Sequence, residues 1–170
     1  LLEETEHRAA ELQTVNSISK AIVSQLEVDA LFKLVGDKMK DTFKADIVYL
    51  AIHDQKTNML HFPYYYGDKA ESRPFGNGIT EKIITSKEPL LVNQNLDETY
   101  DKIKAEKKGK MVESYLGVPI RAGKHSLGVI SVQSKEQENR FSESDQRLLS
   151  TIAANVGIAI QNAEAYQKLQ

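Results

Sequence analysis

The chain has no cysteine. That excludes disulfides, thiolate metal sites, a thiolate nucleophile and any thioether-linked chromophore. It also lacks an apolar run long enough to span a bilayer as a helix, and no signal-peptide pattern is visible. An excess of one charge is missing too, because 22 basic residues face 24 acidic ones for a net of −2. Such totals supply no basic surface, so neither nucleic acid nor a membrane is expected as a partner. A cytoplasmic module fits this composition. The 170 residues suffice for one domain plus an extension. The chain starts at Leu1 and stops within a helical pattern at Leu169-Gln170. The expectation is a fragment of a longer protein.

What is present is organised around Ser114 to Gln133, where two β-branched runs flank a short turn containing Gly123. This is a hairpin signal. In the second run Leu127, Val129 and Ser131 alternate with Gly128, Ile130 and Val132. Both sets are largely apolar, so the strand is expected inside the sheet with cover on both faces. Pro119 lacks a backbone donor and predicts an edge or bulge nearby.

Residues 1–26 read as one helix of about 39 Å. Leu12, Val15, Ile22 and Leu26 follow three- and four-residue steps, with Ser19 in the gap. Packing on its own domain and a seam between two copies both fit that stripe. A second helix, capped by Asp29, should run to Phe43 and bury Leu31, Leu34, Val35, Met39 and Phe43. Residues 45–53 and 59–66 predict a second hairpin. Its Tyr64-Tyr65-Tyr66 places rings on both faces, for core packing or for ligand contact. Residues 67–78 read as loop, Thr80 as the cap of a short helix, and Leu90-Leu91-Val92 as a short strand. The mixed-charge stretch 95–113 predicts a solvated helix or loop. Ser142 and Asp145 form a capping box for the last helix. Along that helix Leu149, Ile152, Val156, Ala159, Ala163 and Tyr166 keep a three-four alternation. We expect this stripe to be a parallel dimer seam, with packing on the chain's own sheet as the competing reading. The divisions expected are an N-terminal signalling and dimerisation helix (1–26), a sensory domain (27–160) and an exit helix (161–170).

Chemistry-bearing constellations are few. His7, His53, His61 and His125 share no metal-ligand spacing, and no Gly-x-Ser-x-Gly elbow occurs. Gly76-Asn77-Gly78-Ile79-Thr80-Glu81 lacks the last glycine of a dinucleotide fingerprint. Glycines leading into a helix start can still expose N–H groups to an anion or polar ligand edge, or they can simply turn the chain. No metal site and no catalytic set follow, and no cofactor is named by the residues.

Several segments resemble, in order, those of GAF domains, the sensory modules of many signalling proteins. They are Asp46-Ile-Val-Tyr-Leu-Ala-Ile, Gly76-Asn-Gly-Ile-Thr-Glu-Lys-Ile and Pro89-Leu-Leu-Val-Asn. Ser114-Tyr-Leu-Gly-Val-Pro-Ile, Leu127-Gly-Val-Ile-Ser-Val and Phe141-Ser-Glu-Ser-Asp-Gln-Arg-Leu-Leu follow. Ile152-Ala-Ala-Asn-Val-Gly-Ile-Ala-Ile-Gln-Asn-Ala closes the set. The resemblance spans Gln25 to Ala163. It implies an α+β fold: a central antiparallel sheet of five or six strands, terminal helices on one face and a small-molecule pocket on the other. The hairpins read from the residues agree. Carried over, the pocket wall comprises Phe75, Gly76, Gly78, Ile79, Ile83, Asn93 and Tyr115, with 95–113 as its lid. The cyclic-nucleotide pattern of the family is met at Lys135, Phe141 and Asp145 but not at Ser134 and Gln146. The bilin-binding and methionine-sulfoxide-reducing branches need cysteine, which is absent.

The function expected is a non-catalytic sensory module. It would bind an unidentified small molecule, form a homodimer through its end helices and relay a change to an effector domain. The alternative is a structural dimerisation module whose pocket is filled by its own side chains.

Overall fold

The computed structural model describes residues 2–23, 27–108 and 111–169, excepting the side chains of residues 2–4, 7, 19, 21, 23 and 166–169. In chain order it runs α1 (Leu2–Val23), α2 (Val28–Phe43), β1 (Ile47–Asp54), β2 (Met59–Tyr66) and β3 (Arg73–Pro74). It continues through α3 (Ile79–Ser86), β4 (Leu90–Val92), α4 (Leu96–Ile103), β5 (Ser114–Ala122), β6 (His125–Ser134) and α5 (Glu143–Leu169). Five antiparallel pairings join the strands in the order β3-β2-β1-β6-β5-β4. The α+β fold with a six-stranded antiparallel sheet is as expected.

The two hairpins form where apolar runs meet turn residues. Gly123, with φ of 62°, turns β5 into β6 at a place where a side chain would be strained. β6 lies between β1 and β5, and both of its faces are covered, as its two apolar sets require. Pro119 sits beyond Gly117, the outermost β4 partner on β5, and just before an irregularity at Ile120/Arg121. Its missing donor therefore costs the ladder little. The sequence left 67–78 as loop, whereas Arg73 and Pro74 pair with Leu60 and Met59 as β3. Two residues carry no period, so no strand signal existed there.

Register sorts the strand residues into two faces. Val48, Val132 and Leu116 share one cross-strand row, and Leu50, Ile130 and Val118 the next. These rows meet α2, α5 and the inner side of α1 in a single apolar core. Ile18 and Ile22 anchor α1 there, while Leu12 on the same helix stays 64% exposed. Tyr64 faces this side as well, and its hydroxyl donates to Asp37 at 3.0 Å. Its ring lies against Gly36, where a Cβ would be 2.3 Å from the ring carbons.

The stripe on α5 expected to join two copies is spent inside the chain. Leu149, Ile152, Val156, Ala159 and Ala163 are all buried; the side chain of Tyr166 lies outside the described residues. Two facing surfaces, the sheet and α1, take up the apolar positions that a three-four alternation provides. The expected seam is thus occupied by the domain's own core. Helix starts differ in part from the sequence reading. Ser142 and Asp145 do form the reciprocal box, at 2.9 and 3.1 Å. Asp29 instead lies in the first turn of α2, whose cap position is Glu27. Leu26 lies outside the described residues.

Candidate functional site

The second sheet face holds a cavity of about 340 Å³. Two cross-strand rows lay its floor: Ile47, Gln133 and Tyr115 in one, and Tyr49, Ser131 and Gly117 in the other. Gly117 is glycine for a steric reason. A Cβ there would lie 2.8 Å from the Tyr115 ring and 2.7 Å from Ile83. The ring of Tyr115 lies over its neighbour and reaches the middle of the floor.

Rings make most of the wall. Tyr65 on β2 stacks on Tyr49, with centroids 5.2 Å apart and planes at 18°. Phe62 meets the edge of Tyr49 at 5.8 Å. Tyr100 of α4 and Tyr115 complete the aromatic lining, with Ile79, Leu96 and Val112 between them. The 95–113 stretch, expected as a lid, lines the cavity through the buried Leu96, Tyr100 and Val112. Of its charged residues, Lys108 also lines the cavity.

Polar groups of the floor are linked. The Tyr49 hydroxyl lies 2.7 Å from that of Tyr115 and 2.7 Å from that of Thr80. Gln133 donates from Nε2 to Ser131 Oγ at 3.3 Å. Thr80 was expected to cap α3. Gly78 holds that position, and the threonine hydroxyl turns inward to Tyr49 instead. Burial pushes the phenols of Tyr49, Tyr65 and Tyr115 up, and that of Tyr100 up to about 12. All four stay protonated near neutral pH and keep a proton to donate.

One buried ion pair closes the side of the cavity. Arg73 of β3 donates from Nη2 to Glu81 Oε1 at 2.8 Å. The Glu81 side chain is only 2% exposed, and that of Arg73 is 23% exposed. The second oxygen, Oε2, accepts from the Gly76 N–H at 3.0 Å. Burial disfavours the Glu81 carboxylate, but the Arg73 bond and charge with the N–H groups of Glu81 and Gly76 outweigh it. Its value falls below the ordinary one. The glycine-rich turn into α3 thus spends donor capacity on the chain's own carboxylate rather than on an external anion.

Of the seven residues expected on the wall, Ile79 and Tyr115 are there. Phe75 lies against His53, with centroids 4.3 Å apart and planes tilted by 33°, and does not line the cavity. Gly76 and Gly78 serve the ion pair, since a Cβ on Gly78 would lie 2.8 Å from Glu81 Oε1 and 3.0 Å from Arg73 Nη2. The φ of Gly78 is −81°, so space rather than backbone freedom selects glycine. Ile83 is buried under Gly117. Asn93 ties β4 to the start of α5. Its Nδ2 donates to the Phe141 carbonyl at 2.7 Å, and its Oδ1 accepts from the Phe141 N–H at 3.2 Å. Phe141 is buried and Asp145 caps, so two residues of the cyclic-nucleotide pattern have structural duties. Sequence reasoning offered Tyr65 as a core or ligand-contact ring and missed Tyr49, Tyr100, Arg73 and Gln133. Ser131 and Gln133 alone left a trace, as polar residues in phase within an apolar strand. Among the described residues no cluster could hold a metal ion, and no helix is long and apolar enough to cross a membrane.

Comparisons with known proteins agree with this architecture. The family model described as GAF domain matches residues 25–161. The formate hydrogenlyase transcriptional activator of Salmonella typhimurium is 29% identical over 164 residues, which cover 90% of this chain and 23% of that protein. A Nif-specific regulatory protein of Herbaspirillum seropedicae is 25% identical over 160 residues, covering 89% of this chain and 29% of that one. The chain therefore spans about a quarter of the length of these relatives. In fold it is similar to the GAF domain of an Acinetobacter phosphoenolpyruvate-protein phosphotransferase. That likeness has a TM-score of 0.78 and 20% identity, and covers 92% of this chain and 95% of the other.

Proposed function

The chain belongs to the GAF domain family, and from that premise we propose that it is a non-catalytic sensory module. It binds a small molecule in the ring-lined cavity and passes the change through its end helices to an effector domain. The observation that carries this reading is the position of β5. Tyr115 meets the cavity on one face of the strand, with Gly117 beneath its ring, while Leu116, Val118 and Ile120 meet the helical core on the other. A ligand that displaces Tyr115 must load the strand on which α5 is packed.

The similarity to regulatory domains of transcription activators supports a role within a longer, cytoplasmic regulator. Two copies are proposed to meet through the outer groove between α1 and α5, where Leu12, Val15 and Leu148 leave apolar surface uncovered. The alternative, a structural module with a filled pocket, is disfavoured by a cavity of about 340 Å³.

A thermal-shift screen of small metabolites separates these readings. A binder at a hundredfold excess over its Kd should add about 2.7 kcal/mol of stability. Its effect should weaken in Tyr115→Phe. A structural module would show no shift with any compound.

A further inference from the structure

Resting on the sensory reading above, we propose that the cavity accepts an uncharged planar ring compound bearing a carbonyl acceptor, of about benzamide size. The argument starts from charge. Three cations on the wall and mouth, Lys69, Arg73 and Lys108, are matched by Asp68, Glu71 and the buried Glu81. Lys69, Glu71 and Lys108 are exposed, so bulk water solvates them. Among the described residues Arg73 and Glu81 are the most deeply held charges, they neutralise each other at 2.8 Å, and the half-buried Asp68 adds negative charge to the lining.

An anionic ligand would set a second carboxylate against a guanidinium that already has one, with no further buried cation among the described residues. An organic cation meets the opposite obstacle. Arg73 lies over the Phe62 ring at 5.4 Å and already takes up the attraction of that face for positive charge. What the site offers besides is ring surface from Tyr65, Tyr100 and Tyr115 around the stacked Tyr49. Aromatic rings prefer stacked or edge-on partners, and a planar ligand can take either arrangement.

Donors are available as well. Arg73 commits Nη2 to Glu81, and its Nε is buried without a partner. The linked hydroxyls of Tyr49, Tyr115 and Thr80 spend two of their three protons on one another and leave one to donate. A carbonyl oxygen accepts from such donors without bringing a charge that must be desolvated.

Benzamide and benzoate have nearly the same shape and differ in charge, so they test the inference directly. Titration calorimetry on the parent protein should show benzamide binding about tenfold or more tightly than benzoate, because an uncompensated buried carboxylate is costly. Glu81→Gln, confirmed as folded by circular dichroism, should reverse the order, since Arg73 then lacks its counter-charge. If that variant does not fold, the Arg73→Gln/Glu81→Gln double variant keeps the interior neutral and should retain the preference for benzamide. Equal or tighter binding of benzoate by the parent protein overturns the proposal, as does an unchanged order in folded Glu81→Gln or loss of the benzamide preference in the double variant. Binding of neither probe also overturns it. In that case a shift with some other metabolite leaves the sensory reading standing, and no shift with any compound removes both.

Discussion

At the scale of single residues, Glu81 ties more of the fold together than its neighbours do. It joins α3 to β3 through Arg73 and to the preceding turn through Gly76. Its folded carboxyl is held below the ordinary value of 4.5. A carboxyl depressed in the fold stabilises it above the unfolded value, and that contribution disappears as pH falls through the folded one. Parent protein should therefore lose stability below about pH 4.5 more steeply than Glu81→Gln, as followed by denaturant unfolding at several pH values. An equal slope in both would show that the pair does not couple folding to protonation. Gly78 belongs to the same cluster. A valine there would press on Arg73 and Glu81, so its damage should appear in stability as well as in binding.

Among the elements, α5 shows how a local rule can change sign. Exchanging a helical glycine for alanine ordinarily stabilises by about 1 kcal/mol. At Gly157 a Cβ would lie 2.2 Å from the Arg121 carbonyl oxygen, which belongs to the backbone of β5 and cannot rotate away. Gly157→Ala should instead destabilise by about 1–3 kcal/mol in chemical denaturation, through overpacking. A gain in stability would mean that helix and strand separate easily. The elements themselves were largely legible in the sequence. Both hairpins followed from apolar runs bounded by turn residues, and the Ser142–Asp145 box marked the α5 start. The cavity was not. Its floor depends on which residues register brings opposite one another, as Tyr49 and Gly117 flank Ser131, and no local pattern encodes that. The glycines near α3 left an anion site and a plain turn both open, because nothing in their spacing showed that Glu81 folds back onto them. The α5 stripe had the right period and the wrong partner, since periodicity defines a buried face without saying what buries it.

For the whole molecule, the remaining apolar surface decides how copies can associate. With Leu149, Ile152, Val156, Ala159 and Ala163 buried, charging Ala159 or Ala163 would disrupt the core rather than split a dimer. Leu12 is the better probe, being 64% exposed beside Val15 and Leu148. Leu12→Glu should turn a dimer into a folded monomer in sedimentation velocity, with its helical dichroism unchanged. A parent protein that is monomeric at high concentration would dismiss the proposed contact. The close approach at Gly157 has one further mechanical consequence. It makes the Arg121 carbonyl a bearing point under α5, which stays packed as far as Ala163 and runs on to Leu169. Twelve residues of helix extend about 18 Å, so a tilt of roughly 3° about that point sweeps the far end through about 1 Å. A strand shift too small to disturb the core would leave the domain amplified, as displacement delivered wherever the helix leads.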